Sequence, residues 1–532
     1  MIDRIVIQGY RLFQHLALQP NAGMNIIVGD NEAGKSTLIE AVAMALTGRV
    51  NGKWAQEELN PYWFNQSLVH EFFEALRTES PLKAPEILIE LYLTNDKDEL
   101  QLMRGVYNSR QDDVPGVRIR IAPSEDYAEE FAAYLEDEKR PEILPVEFYD
   151  VEWRDFADIP LKRRPKGLGV SVIDSRTIQS TSGVDFHTRE MLSDFVEPKE
   201  RAAISVAHRT ARHSISESTL ETVNARIAQH GATIHDREIG LQMDQSANAS
   251  WESSIIPHVA HIPFAMSGQG QQAAIKVALA MNRTAAATSY VLVEEPENHL
   301  SHTSLTKLVA RIELLAGDRQ VFLTTHSSFV LNRLGLDNLV LLYAGKTAGF
   351  SDLPLDTVAY FKRLSGYDTL RLVLAQSVVL VEGPSDEMIF VRAFTGGQGS
   401  SPISQGIDVI STQGVAFKRS LQLCAALGRK VAALRDNDGK APDHWHDLYS
   451  ETLESGVRQL FIGDQAAGHT LETQILNVNG DADVRAILQY MGDKKTLEWM
   501  TDNKTDAALR IAESDTVINH PQYVMDAIEF IK

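Results

Sequence analysis

Apolar and polar residues alternate along the chain in two rhythms, one of period two and one near three and a half, and their order sketches the elements. Ile2–Ile7 alternates as a strand; Leu16–Leu18 and Met24–Val28 follow, the latter after a Pro20-Asn21-Ala22-Gly23 turn. Leu38–Leu46 carries helical spacing, and Asn51–Asn65 is polar and aromatic-rich. Glu86–Leu93, Glu99–Val106 and Val117–Ile121 predict an antiparallel meander. The acidic stretch Glu125–Glu138 predicts an amphipathic helix, and Pro141–Val146 an extended connection. Val170–Ile173 reads as a strand. From Arg189 to Gln229 the spacing is helical, with Leu192, Phe195, Ile204, Val206, Leu220, Val223 and Ile227 on its apolar faces. That run is too short and irregular for a long coiled coil, so it predicts a helical insertion and a candidate dimer contact. Helix Ala273–Met281, strand Tyr290–Val293, helix Ser304–Leu315 and strands Gln320–Thr325 and Asn338–Tyr343 complete a first α/β series.

A second series begins at strand Ser377–Val381. Helix Glu387–Phe394, a Gly/Ser loop Gly396–Ser401, strand Ile407–Ser411, helix Phe417–Leu427 and strand Lys430–Leu434 follow. Parallel strands separated by helices predict a second α/β domain. The expected units are 1–185 and 233–368 as two parts of one domain, 186–232 as the insertion, and 369–532 as the second domain, joined through Lys362–Asp368.

Composition narrows the class. A chain of 532 residues is too long for one core, and its 44% hydrophobic and 23% charged content is ordinary for a globular protein. No apolar run approaches the roughly 18 residues of a membrane span, so no membrane partner is expected. The N-terminus lacks a signal-peptide layout, and the single cysteine, Cys424, rules out an intramolecular disulfide; both fit a cytoplasmic protein. A net charge of −21 argues against non-specific coating of nucleic acid but leaves room for a local basic groove. Leu161-Lys162-Arg163-Arg164-Pro165-Lys166 is a short basic cluster that reads as a solvated loop, with contact to a phosphate backbone as the alternative.

Gly29-Asp30-Asn31-Glu32-Ala33-Gly34-Lys35-Ser36-Thr37 fits the phosphate-loop pattern and lies between a strand and a helix, the context the motif requires. Backbone amides from Asn31 to Thr37 would cradle phosphates, Lys35 would reach the β- and γ-phosphates, and Ser36 would hold Mg²⁺. The strand Tyr290–Val293 ends in Glu294-Glu295, which puts Glu294 near the metal and Glu295 where it can polarise water. His326, at the tip of the next strand, is placed to contact the γ-phosphate. Ser267-Gly268-Gln269 at a helix start offers phosphate donors. In the second series, Glu382-Gly383-Pro384-Ser385-Asp386 and Asp436-Asn437-Asp438 follow two parallel strands. Carboxylates converging at such strand ends need a cation, and two divalent ions suit attack on a phosphodiester.

The motifs GDNEAGKST, SGQGQQ, VLVEEPENHL and TTHS resemble the ABC-type ATPase domain of SMC-like and overcoming-lysogenization-defect (OLD) proteins, although SGQGQ replaces the usual SGGQ and Glu294 stands where many ABC ATPases carry Asp. No nucleotide-gating glutamine between Lys35 and Ser267 is identifiable. The acidic pair resembles the Toprim motifs E-G-x-x-D and D-x-D. Gly468-His469-Thr470-Leu471-Glu472 and the stretch from Asp502 through Lys504 to Leu509 are similar to later OLD-type motifs. The resemblance implies an α/β fold with an ABC/SMC-like ATPase domain bearing a helical dimerisation insertion, followed by a Toprim domain. It also implies that Glu472 is a further metal ligand and that Lys504 stabilises charge on the scissile phosphate. Cofactors would be ATP and Mg²⁺, with Mn²⁺ or Ca²⁺ as alternatives at the Toprim site. Because Ser267–Gln269 would contact ATP held by an opposite subunit, a homodimer or dimer of dimers is expected. The implied activity is an ATP-regulated DNA endonuclease in anti-phage defence, in some members beside a second protein. The rival reading is an ATP-driven clamp or sensor with a vestigial Toprim domain; a primase or topoisomerase would need a zinc-binding cysteine set or a tyrosine-nucleophile domain that the sequence does not display.

Overall fold

A computed structural model of the chain describes residues 1–29, 32–78, 82–94, 98–137, 139–174, 195–231, 240–246, 251, 258–282, 289–298, 300–334, 338–343, 345–349, 354–361, 371–372, 375–412 and 416–532. Three sheets organise them. The first is antiparallel: Phe13–Leu18, Ile2–Tyr10, Ile87–Leu93 and Val114–Pro123 lie side by side, and Tyr149–Asp155 also pairs with Val114–Pro123. Ile5 and Ile7 are fully buried in the main core, while Val6 between them is buried in a separate cluster with Tyr92 and Phe156.

The second sheet is parallel at its centre, in the order Val170–Asp174, Tyr290–Glu294, Gln320–Thr324, Met24–Gly29, Leu339–Tyr343, with Lys346–Gly349 antiparallel at the edge. Its strands are buried on both faces and so read as unbroken apolar runs. Helix Lys35–Thr47 packs against strands of both sheets, which is why it is apolar nearly all round, with Leu38, Ala41, Val42 and Ala45 at zero exposure. The third sheet is wholly parallel, ordered Ile407–Ser411, Ser377–Val381, Lys430–Arg435, Arg458–Ile462.

One apolar cluster runs from the second sheet into the third. It contains Ile26, Val28, Val293 and Leu323 as well as Val378, Leu380, Val431 and Ala433, bridged by Phe361, Leu372 and Cys424. Burial pushes the Cys424 thiol up to about 12, so the lone cysteine serves as a small apolar filler. At the same junction Arg429, 2% exposed, stacks over the Tyr343 ring at 4.2 Å, and Thr357 donates to Gln422 at 2.5 Å.

Two expectations change. The middle strand of the meander is not one: Asp98–Gln101 is a helical turn and only Arg104–Gly105 pairs in the sheet, leaving Ile87–Leu93 directly beside Val114–Pro123. The stretch Gly396–Ser401 is not all loop. Helix Pro384–Gln398, anchored by buried Phe390 and Phe394, runs through both exposed glycines Gly396 and Gly397 and stops at Gly399 with a left-handed φ of 70°. Over the run expected to be helical lie helix Pro198–Ser214, a wide turn Ile215–Thr219 and helix Glu221–Gly231; Leu192 lies outside the described residues. Phe195 and Val206 are exposed there by 54% and 66%, among the described residues. The boundaries expected at 185, 232 and 368 and the connection Lys362–Asp368 all lie outside the described residues. No described helix is long and apolar enough to cross a membrane.

Gln320 holds the first two sheets together. Its fully buried amide accepts from Ile2 N at 2.7 Å and donates to the carbonyls of Ile2 and Asn21, both at 2.8 Å. Gln320→Leu removes all three bonds and strands buried backbone groups, so it should destabilise the fold by about 3 kcal/mol, read as a lowered urea midpoint. A midpoint equal to wild type would mean water reaches those groups.

Candidate functional site

The first candidate centre lies at the carboxyl edge of the second sheet. Gly29 ends its strand against Leu342, so closely that a β-carbon there would sit 2.4 Å from the Leu342 carbonyl oxygen. Gly34 begins the helix with φ at 98°, a conformation that side chains resist. Between them Asp30 and Asn31 lie outside the described residues. Lys35 is 6% exposed and donates from Nζ to the Gly29 carbonyl at 2.9 Å, which lays its ammonium across the loop. Ser36 is half-buried and Thr37 buried beside it.

Parallel register brings the other residues to the same edge. Glu294 pairs with Thr324, and Thr324 with Ile27 of the loop strand. Glu294 is 6% exposed. Glu295 leaves the strand at φ 42°, a strained left-handed turn held by its amide donating to the Thr324 carbonyl at 3.0 Å. Its carboxylate accepts from Asn298 at 2.8 Å and faces His326 Nε2 at 3.5 Å. The sequence reading thus places Glu295 and His326 together. It missed Glu297, whose Oε1 accepts from Thr325 Oγ1 at 2.8 Å and from the His326 amide at 2.6 Å, fixing the turn that presents the histidine. Ser267 and Gly268 precede helix Gln269–Asn282, with Gly268 and Gln269 exposed; that helix packs on His302–Ala316 and Val170–Asp174.

The second centre lies at the carboxyl edge of the third sheet. Strand Ser377–Val381 delivers Glu382, and Asp386 follows in the first turn of helix Pro384–Gln398, accepting from the Gly383 amide at 2.9 Å. The neighbouring strand Lys430–Arg435 delivers Asp436, and helix Leu471–Asn479 brings Glu472, 5% exposed. These four carboxylates feel one another. Burial first, then Asp386, Glu382 and Glu472, push Asp436 up to about 8. Burial raises Asp386 to about 6, with Glu472 adding to it. Burial raises Glu382 to about 7, the Arg435 guanidinium offsetting only part of it. Buried Tyr523, raised by burial and by the same four acids, puts helix Gln522–Ile531 beside the cluster.

Two cations border the group: Arg435 Nη2 meets Glu382 Oε1 at 2.5 Å, and Lys504, first residue of helix Lys504–Glu513, meets Glu472 Oε1 at 3.4 Å. Asp438 stands apart. It is half-exposed, left-handed at φ 49°, and turned to Arg435 at 3.1 Å. Asn437 between the two aspartates is wholly buried and donates to the carbonyls of Gly463 and Gly468 at 2.9 and 2.7 Å. Its amide nitrogen being spent, its oxygen accepts from the Gly439 amide and from His469 Nδ1. Arg435 and Asn437 were given no role by the sequence, though both stand inside the acidic motif.

Asp436 Oδ1 and Glu472 Oε2 are buried with no hydrogen-bond partner. Such oxygens fit a cation, since each is desolvated and unsatisfied. Among the described residues no three acidic, histidine or cysteine side chains are gathered closely enough to enclose an ion, and Glu382 and Glu472 each pair with a basic side chain.

Residues 4–154 match an AAA-domain family model, and 261–332 match a second AAA-domain model. Residues 373–438 match the model described as Overcoming lysogenization defect protein-like, TOPRIM domain. The DNA replication and repair protein RecF of Desulforudis audaxviator is 51% identical over 47 residues, 9% of this chain and 13% of that protein. The chain thus spans 13% of the length of the curated relatives it matches. Among solved structures, the Smc head domain bound to the C-terminal domain of ScpA from Pyrococcus furiosus is 14% identical, with 65% of this chain and 94% of that chain covered and a TM-score of 0.33. The C-terminal region of the Burkholderia pseudomallei OLD protein is 18% identical, with 30% and 97% covered and a TM-score of 0.23. The chain carries an AAA domain in its N-terminal part, followed by an overcoming-lysogenization-defect-like TOPRIM domain.

Proposed function

We propose that the chain is an ATP-hydrolysing, divalent-metal-dependent DNA endonuclease that works as a homodimer or dimer of dimers, in anti-phage defence and in some settings beside a second protein. The observation that carries the nuclease reading is the buried acidic crevice, with Asp436 Oδ1 and Glu472 Oε2 unsatisfied within it. An ATP-driven clamp without cleavage chemistry has no use for such an arrangement, which costs stability as long as no cation relieves it. The match to a DNA replication and repair protein supports DNA as the substrate.

Glu382, Asp386, Asp436 and Glu472 would hold Mg²⁺ or Mn²⁺. A divalent ion bound there supplies charge neutralisation and polarises a phosphodiester oxygen. Lys504, half-exposed beside Glu472, is the residue to stabilise negative charge building on the scissile phosphate. In the AAA domain, Lys35 would bind the β- and γ-phosphates, Ser36 and Glu294 would hold Mg²⁺, and Glu295 would orient water with His326 as its neighbour. Asn31 to Thr37 would line the phosphates. Ser267, Gly268 and Gln269 would reach ATP held by the other subunit, and the insertion Pro198–Gly231, with its exposed apolar side chains, would join the subunits.

The two centres should separate by mutation. Asp436→Ala and Glu382→Ala should lower plasmid cleavage by about 10²-fold or more while phosphate release stays near wild type. Cleavage retained by both variants would remove the nuclease from this crevice.

Lys35→Ala should abolish nucleotide binding in calorimetry, whereas Glu295→Gln should bind ATP and turn it over about 10²-fold more slowly. Normal turnover by Glu295→Gln would assign the water to another group.

Stability should depend on pH in a stated direction. Asp386, Glu382 and Asp436 keep protons in the folded chain up to about 6, 7 and 8, but release them in the ordinary carboxylate range once unfolded. The folded state therefore binds more protons over this window, so stability falls as pH rises through it. The melting temperature of chelator-treated protein should drop between about pH 5 and pH 8, and Asp436→Asn should flatten the drop. A rise across that window in wild type would contradict the buried cluster.

A further inference from the structure

Arg435 is held on every side. Its guanidinium lies over the Trp445 ring at 3.5 Å, Nη1 donates to the Tyr449 hydroxyl at 2.7 Å, Nε donates to the Asp436 carbonyl at 3.3 Å, and the side chain is 12% exposed. From that fixed position Nη2 reaches both Glu382 Oε1 at 2.5 Å and Asp438 Oδ2 at 3.1 Å. This is no loose surface ion pair, whose worth is small. A planar fork stacked on indole and bridging two carboxylates is preorganised, and little entropy is lost in holding it there.

The remaining acids are served differently. Lys504 pairs with Glu472 Oε1 at 3.4 Å and is itself half-exposed. Glu472 Oε2 and Asp436 Oδ1 are left buried and unsatisfied. The crevice therefore has two parts. One, with the unsatisfied oxygens of Asp436 and Glu472, needs a cation; the other, formed by Glu382 and Asp438, already has one.

We propose that Arg435 is a resident counter-cation that divides the acidic crevice, so that one divalent ion binds tightly at the unsatisfied oxygens of Asp436 and Glu472 while a second binds at Glu382 and Asp438 only by displacing the guanidinium. This rests on the metal-dependent reading above and specifies its regulation: occupancy of the second position is set by competition with Arg435. The residue acts by positioning carboxylates.

The test is Mn²⁺ binding by full-length protein without nucleotide, followed by electron paramagnetic resonance of free ion and by calorimetry. Wild type should bind one ion tightly and a second weakly. Arg435→Gln should raise the affinity of the second ion by about tenfold or more, the scale on which residues neighbouring ligands tune metal sites, and leave the first unchanged. Arg435→Lys, which keeps the charge but loses the fork and much of the stacking, should fall between them and serves if Arg435→Gln does not fold. Asp436→Asn should lose the tight ion. Two equally tight ions in wild type, or a second-ion affinity within twofold of wild type in the folded Arg435 variants, would overturn the proposal while leaving the metal site standing. Wild type and Asp436→Asn binding Mn²⁺ alike would instead overturn the metal-dependent reading on which it rests.

Discussion

Repulsion among buried carboxylates is the constraint on which the C-terminal half turns. Glu382, Asp386, Asp436 and Glu472 are brought from two strand ends and two helices into one crevice, where low dielectric strengthens every like-charge contact. Parallel strands cause the convergence, since each βα connection leaves the sheet at the same edge. The surrounding structure answers the charge piecemeal. The Gly383 amide faces Asp386, the Leu471 amide faces Asp436, Arg435 takes Glu382, and Lys504 takes one oxygen of Glu472. Protons held well above the ordinary carboxylate range absorb what remains.

The N-terminal centre follows the same edge-of-sheet logic with a different charge balance. There a buried lysine rather than a surplus of acids dominates, and the glycines at 29 and 34 let the backbone wrap where side chains would collide. Glu295 is put to use by its strained turn: a regular continuation of the strand would alternate its carboxylate to the opposite face from Glu294, whereas the turn at φ 42° brings it to His326.

Much of this was legible in the sequence because the signal was local. An apolar run ending in acids marks a buried strand and its chemistry together, and Tyr290–Glu295, Ser377–Glu382 and Lys430–Asp436 all read that way. What escaped was long-range. Arg435 is visible next to Asp436, but nothing local tells that the adjacent strand will present Glu382 to it. Asn437 looks like a spacer between two aspartates until Gly463, Gly468 and His469 fold around it. The Gly396-Gly397 pair misled in the other direction: composition favoured a loop, but the packing of Phe390 and Phe394 had already committed the helix, and tertiary burial outweighs the roughly 1 kcal/mol each glycine costs.

The shared core sets how the two centres relate. Leu342 packs against Gly29 of the phosphate loop, and the next residue, Tyr343, carries Arg429 on its ring. Arg429 immediately precedes the strand Lys430–Arg435, whose far end delivers Asp436. This chain of contacts is contiguous, yet contiguity alone does not transmit a signal; some element must adopt two arrangements. The interface between the second and third sheets is poorly suited to be that element. Parting it would expose Val378, Leu380, Leu421, Leu423 and Leu427, each costing about 1.5–3 kcal/mol when fully uncovered. Packed cores of this kind move as bodies and do not deform gradually. Opening that interface is therefore costly, whereas movements of half-exposed side chains at the crevice mouth, Lys504 and Asp438 among them, uncover little apolar surface.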